Sequence, residues 1–274
     1  MATEISEHLA DKILTALFHG GTIAVPTELT IKIFTTMPAR DGTGGVEATY
    51  TSYAAQTVAC GAGSKWEVPA LDTDHFATSN QEAIEFPENT GSAQTAAGYG
   101  IFNGANLYFL DAEVFEIENG YQPIIAANDL VIGWAADAAA AYDFQEAVFL
   151  AIFANTALAA LTSVDIELCE ALPTKADSGE DEADYTGYAA VTLDSGAVTS
   201  DWDAIDDEDG YRMCAVTAEH DFGVKNTGTA QDIDGFVLRD NAGTLLYIGT
   251  FGSTVTIEPN TKAVVRADAI HVRF

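Results

Sequence analysis

The sequence predicts a mainly β protein: two tandem, similar antiparallel β-sandwiches, jelly-roll-like, each preceded by one α-helix. Three observations predict it. An internal repeat of domain size divides the chain. Each copy opens on a helix-period apolar pattern. Short alternating runs then follow, separated by turn residues at regular intervals. The repeat is clearest at Tyr50-Thr51-Ser52-Tyr53-Ala54-Ala55-Gln56-Thr57, which returns 135 positions later as Tyr185-Thr186-Gly187-Tyr188-Ala189-Ala190-Val191-Thr192. At the same offset Pro38 matches Pro173, Ile31 and Ile33 match Ile166 and Leu168, and Leu17-Phe18 matches Ile152-Phe153. Downstream, Asn89-Thr90-Gly91-Ser92-Ala93-Gln94 returns as Asn226-Thr227-Gly228-Thr229-Ala230-Gln231, and Gly98-Tyr99 as Gly235-Phe236, both at offset 137. So long a period is that of a domain, not of a stacking unit of roughly 20–50 residues. The expected domains are 1–141 and 142–274.

In chain order, Ile5, Leu9, Ile13 and Leu17 recur at helical spacing, so a helix is expected from Ile5 to Phe18, capped by Ser6 or Thr3 and ended by Gly20-Gly21. Its counterpart is expected from Phe144 to Asn155, with Asp143 and Glu146 as a capping box. Leu29, Ile31 and Ile33 alternate with polar residues, as do Val164, Ile166 and Leu168, which marks half-buried strands. Polar, Gly-rich loops follow from Pro38 to Glu47 and from Pro173 to Asp184. The Tyr-x-x-Tyr segments read as strand starts, with the two tyrosines on opposite faces. A variable region holding Trp66 and Trp202 precedes Phe86 and Phe222. The strands Gly98 to Phe102 and Gly235 to Leu238 then turn at Asn103-Gly104 and Asp240-Asn241-Ala242-Gly243 into Leu107-Tyr108-Phe109 and Leu245-Leu246-Tyr247, a hairpin in each copy. Closing strands run from Asp129 to Trp134, and through Val255, Ile257, Ile270, Val272 and Phe274. The Ala-rich joint from Ala135 to Ala141 is short enough to couple the copies.

The chain of 274 residues carries 42 acidic and 11 basic side chains, a formal net charge of −31 at pH 7. Both copies share it: 18 acidic and 4 basic residues up to Ala141, then 24 and 7. Phosphate neutralisation needs Lys and Arg, so nucleic acid is a poor partner. The same charge opposes adhesion to an anionic membrane. No run reaches the roughly 18 apolar residues of a membrane span, and the N-terminus lacks a signal-peptide pattern. Self-repulsion on this scale calls for salt screening, so a high-salt, halophilic source is expected.

Candidate chemistry is sparse. Cys60, Cys169 and Cys214 are scattered and odd in number, without metal spacing, and read as small buried apolar side chains. His8, His19, His75, His220 and His271 show no paired metal spacing. The acidic run Asp201 to Asp209 lacks the order and the closing Glu of a calcium loop. With so many carboxylates, pairs suited to glycoside hydrolysis arise by chance. Trp66 and Trp202, in variable loops, could stack on sugars, but nothing supplies a reaction. The sequence therefore gives no catalytic, cofactor-binding or metal residue, and the protein is expected not to be an enzyme.

The order of features carries a resemblance. A helix ends in Leu17-Phe18 or Ile152-Phe153. A strand such as Leu29-Thr30-Ile31-Lys32-Ile33-Phe34, a Pro-led polar loop and a Tyr-x-x-Tyr-Ala block follow, then Asn-x-Gly-x-Ala, a Gly-aromatic strand and a hairpin. This resembles small virion structural proteins of tailed phages and tailed archaeal viruses, labelled tail-fibre-like or capsid decoration (cement) proteins, here taken twice. The resemblance implies a protein on the outer surface of an icosahedral head. There it would bind the major capsid protein and copies of itself and bridge capsomers, without cofactor. The alternative it implies is a tail or baseplate appendage that recognises a cell-surface receptor.

Overall fold

The computed structural model describes residues 4–23, 25–61, 63–134, 139–196, 201–208 and 211–274. Thr3, residues 135–138 of the expected joint, and Asp209 of the acidic run lie outside them. The protein is mainly β, with two helices, α1 (Glu7–Phe18) and α2 (Tyr142–Phe153), among the described residues. Neither is long and apolar enough to cross a membrane. Among the described residues all strand pairings are antiparallel. The chain divides into two compact units. Unit 1 comprises Met1–Lys12, Ile23–Ala136 and Glu146–Leu158; unit 2 comprises Ile13–Thr22, Asp137–Gln145 and Ala159–Phe274.

In unit 1 the long strand Glu28–Thr36 pairs on one side with Gly98–Asn103, which pairs on with Asn106–Asp111 and so reaches Glu4–Ile5. Its other side is shared. Gln56–Ala59 covers Glu28 to Ile31, and Val46–Glu47 covers Phe34 to Thr36. The expected alternation holds, with Leu29, Ile31 and Ile33 fully buried. The hairpin turns through Gly104 and Ala105, and Gly104 supplies the positive φ (61°) that so tight a turn requires. Small two- and three-stranded sheets complete the unit. Phe149 and Phe153 of α2 pack against Phe109, and Phe153 also meets Trp66 at 4.9 Å between ring centroids.

Unit 2 repeats this plan. Ser163–Ala171 pairs with Gln231–Asp240 on one side and is shared between Val191–Asp194 and Asp181–Glu182 on the other. Phe18 of α1 packs on Trp202 at 4.0 Å. Matching hydrogen bonds recur at the 135-residue offset. The N–H of Glu7 donates to the carbonyl of Arg40 and that of Tyr142 to the carbonyl of Lys175.

Four local expectations change. First, the Tyr-x-x-Tyr segments are turns, not strand starts. The Tyr53 N–H donates to the Tyr50 carbonyl, and the Tyr188 N–H to that of Tyr185. The tight turn swings both rings inward, so Tyr50 and Tyr53 meet edge to face at 5.2 Å, as do Tyr185 and Tyr188. Second, α1 starts at Glu7, after a short strand, rather than at Ile5, while Ser6 is the cap as expected, its hydroxyl accepting the Leu9 N–H. In α2 no capping box forms at Asp143 and Glu146. The helix opens at Tyr142, Gln145 N–H donates to the Ala141 carbonyl, and the Gln145 side chain donates to the Ala140 carbonyl. Third, Trp66 and Trp202 are buried at 2% and 3% exposure, so neither presents a stacking face for sugar. Fourth, Lys225 rather than Asn226 takes the place of Asn89. Asn89 donates its N–H to Tyr121 and accepts from Gly120; Lys225 donates to Thr261 and accepts from Asn260.

Candidate binding pocket

The chemistry-bearing side chains singled out in the sequence serve structure. All three cysteines are buried and free. Burial pushes the Cys60 thiol up to about 12 and raises those of Cys169 and Cys214 further. Cys214 Sγ lies 3.5 Å from His19 Nε2 and 3.1 Å from the Asp203 carbonyl. A thiol so raised is a poor nucleophile, because the thiolate is the reactive form. In the acidic run, Asp201 accepts the Asp194 N–H and Asp203 accepts the Ala215 N–H, both at 2.7 Å. These carboxylates tie loops to strands. Among the described residues no three His, Cys, Asp or Glu side chains come together to hold a metal ion.

Unit 2 holds one dense ion cluster. The Arg239 guanidinium donates to Glu167 at 2.9 Å, to both Asp177 oxygens at 3.0 and 2.7 Å, and to Glu180. Its side chain is 11% exposed. Hydrogen bonding to Arg239 holds the Asp177 carboxyl below its ordinary value. Burial, with the charge of Glu182, raises Glu167 in spite of the arginine. The cluster pins the loop after Ser163–Ala171 to the strand Gln231–Asp240.

Unit 1 carries a cavity of about 310 Å³. The strands Gly98–Asn103 and Asn106–Asp111 place Tyr99 and Asp111 opposite each other in its wall. Tyr99 stacks on Phe115 at 5.3 Å. Leu130 and Ile125 are buried in the lining, while Tyr121, Ile124 and Val131 are 46%, 47% and 40% exposed. Glu113 and Asp129 add two exposed carboxylates. Asp111 is 8% exposed, and its Oδ1 is buried with no hydrogen-bond partner. Burial accordingly raises its carboxyl above the ordinary value. Burial also raises the Tyr99 hydroxyl, and the charge of Glu113 adds to it.

The same place in unit 2 has different chemistry. Phe236 stands opposite Gly249 in the ladder where Tyr99 stands opposite Asp111. A side chain at Gly249 would run into the Phe236 ring. The turn before the last strand closes alike in both units. The Asn128 N–H donates to the Asn80 carbonyl and the Asp268 N–H to that of Val216. Ala269 therefore stands where Asp129 does, and His271 where Val131 does. No motif marks Asp111 among 42 acidic residues. Only a comparison of the copies, Asp against Gly, singles it out.

Residues 4–133 match the family model described as "Podophage GP4 fiber I protein gp80". No curated protein matches the chain. The matched span runs from the strand Glu4–Ile5 to the strand Val131–Gly133 and so includes the cavity of unit 1. The match supports a phage structural protein of fibre-like type.

Proposed function

We propose that this chain is a fibre-like structural protein of a tailed virus, carried on the outside of the virion and associated with the tail. The match of residues 4–133 to a phage fibre model is the observation that carries the reading. It shifts weight from the head-decoration expectation to the tail appendage. The net charge of −31 fits an exterior position, away from packaged nucleic acid of the same sign. In this reading the protein acts mechanically rather than as an enzyme. Its partners are neighbouring virion proteins and copies of itself, and a host-surface receptor is the further partner an appendage would meet.

The same reading includes an ancestral duplication. Its support is the recurrence of the shared long strand, the inward tyrosine pair and the Trp–Phe contact in each unit. We read the larger sheet and smaller sheets of each unit as the layers of a sandwich. Support comes from the single buried face of Glu28–Thr36 and of Ser163–Ala171. The extreme charge fits a salt-rich setting for the virion.

Copy number and location in purified virions test the reading. A few copies per particle, with antibody labelling at the tail, are expected. Hundreds of copies over the head would replace it with decoration of the major capsid protein. Absence from the particle would overturn both.

A further inference from the structure

We propose that a cavity of unit 2 is a binding site for a small hydroxylated monocarboxylate of the sugar-acid type, its carboxylate held by Arg273 and the Tyr247 hydroxyl. The strand His271–Arg273 pairs with Tyr211–Ala215, and Arg273 stands opposite Met213. Alternate residues of a strand share a face, so His271, Arg273, Met213 and Tyr211 lie on one side of this sheet. The cavity has a volume of about 340 Å³; Met213, His271 and Arg273 line it together with Tyr247, Gly249 and Thr250 of the strand Leu245–Ile257.

Two donors in this wall have nothing to donate to. The Arg273 guanidinium lies 4.8 Å from the centre of the Tyr211 ring, and among the described residues no carboxylate or carbonyl accepts from it. Acceptors are not scarce in this chain, since Arg239 of the same unit meets three carboxylates. The Tyr247 hydroxyl has no hydrogen-bond partner among the described residues either, and it is not one of the fully buried polar atoms. Its ring is half-buried, and the charge of Arg273 reaches its hydroxyl. Packing over Tyr211 restrains the guanidinium and leaves its N–H groups free. A planar fork of N–H donors beside a hydroxyl is complementary to a carboxylate.

The matching positions of unit 1 differ in a consistent direction. Phe109 stands in the ladder where Tyr247 does, Val131 where His271 does, and Gly133 where Arg273 does. Unit 2 thus gains three polar groups. It also loses two carboxylates, with Gly249 in the place of Asp111 and Ala269 in that of Asp129. Among the described residues its cavity is lined by no Asp or Glu. Unit 1 pairs the same strands without these donors, so the sheets do not need them.

The remaining wall selects the rest of the ligand. His271 Nε2 already donates to the Asp268 carbonyl at 2.7 Å, so the charge of the site falls to Arg273. One guanidinium balances one negative charge. A dianionic phosphate brings a second into a chain whose net charge is −31. Thr250 offers a hydroxyl, while Phe236, Ile248 and Met213 give an apolar surface for the C–H face of a ring. The volume lies at the small end of ligand cavities, which run from roughly 300 to 1,000 Å³, and suits one sugar ring. The site does not rest on where the virion carries the protein. Copy number and labelling test that reading, and the titration below tests this one.

The test is calorimetric titration of the full chain with D-glucuronate, with D-glucuronamide as neutral isostere and D-glucose 6-phosphate as dianion. In about 0.3 M NaCl the Debye length is only about 6 Å, which suppresses diffuse repulsion from so acidic a surface. The expected result is one saturable site for glucuronate, with the amide at least about tenfold weaker and the phosphate weaker than glucuronate. Arg273→Gln should weaken glucuronate by about tenfold or more, and Tyr247→Phe by about threefold to tenfold. Arg273 is exposed and unpaired, so its variant should fold as the parent does; unit 1 already carries Phe at the place of Tyr247. Arg266→Gln removes the same charge from an exposed residue outside the lining and should leave the affinity unchanged. Unsaturable uptake, equal binding of the amide, tighter binding of the phosphate, unchanged affinity in Arg273→Gln or Tyr247→Phe, or an equal loss in Arg266→Gln would each overturn the proposal.

Discussion

The Tyr53 hydroxyl accepts the backbone N–H of Ile33 at 3.0 Å. Ile33 lies between the two partners of its strand, since Gln56–Ala59 pairs up to Ile31 and Val46–Glu47 begins at Phe34. The tyrosine fills the gap that the ladder leaves. Tyr188 does the same for Leu168 at 2.9 Å. Tyr53→Phe and Tyr188→Phe should each cost about 1–3 kcal/mol, because each leaves a buried N–H without an acceptor. Urea denaturation of the two variants checks this; a loss under a few tenths of a kcal/mol in both would refute the role.

Much of this was legible in the sequence. Period-two alternation found the strands at Leu29 and Val164, and turn residues found both hairpins, because these signals are local. The inward turn of the tyrosines was not legible. A Tyr-x-x-Tyr spacing says nothing about whether the backbone is extended, and the deciding hydrogen bond joins residues 20 positions apart. Trp66 and Trp202 were misread for a like reason, since their partners Phe153 and Phe18 are remote in sequence. The swap of Lys225 for Asn89 hid behind a matching Asn-Thr-Gly string one residue out of step. The cavity was invisible, because position and not residue type distinguishes Asp111.

Helix α2 supplies part of unit 1. Val148, Phe149, Ile152 and Phe153 are buried at 0% to 1% exposure. The Phe153 carbonyl accepts from Gly61 N–H and from the Ser64 hydroxyl. A chain ending at residue 141 therefore lacks core that Trp66 and Phe109 pack against. It should express as an aggregated or molten product, with weak near-ultraviolet circular dichroism. In the full chain, Phe153→Ala should cost about 3–5 kcal/mol. A cooperative, native-like melt of the 1–141 fragment would show that unit 1 dispenses with α2.

Arg239 is one of only 11 basic residues and faces three carboxylates. Arg239→Ala leaves Glu167 and Glu180 half-buried without their cation, which should cost about 3–5 kcal/mol. Hydrogen bonding by Arg239 lowers the folded-state value of Asp177. That contribution is present above the ordinary carboxyl value and is lost as the pH falls through the folded one. The variant should thus lose most at neutral pH and less near pH 3. A uniform loss across that range would point to packing rather than charge.

The net charge makes stability depend on screening. The melting temperature should rise steadily from about 0.05 M to 1 M NaCl, as the Debye length falls from about 14 Å to 3 Å. Potassium chloride should act alike, since screening depends on ionic strength. A flat or falling melting temperature in both salts would exclude self-repulsion as the limiting cost and remove the physical ground for a salt-rich setting.

Asp111 gives the last prediction its sign. Burial raises its folded-state carboxyl above the ordinary value of 3.8, so between those values the folded protein holds the proton that the unfolded chain has released. Stability therefore falls as the pH rises through that window, and the deficit is complete above the folded value. Asp111→Asn cannot ionise and escapes the deficit. At pH 7 it should be more stable than the parent by about 1–3 kcal/mol. Below pH 3.8 the parent is protonated in both states, and the two proteins should converge. Denaturant titrations at a series of pH values read this directly. An Asn variant less stable than the parent at pH 7 would mean that the carboxylate is paired in the folded protein.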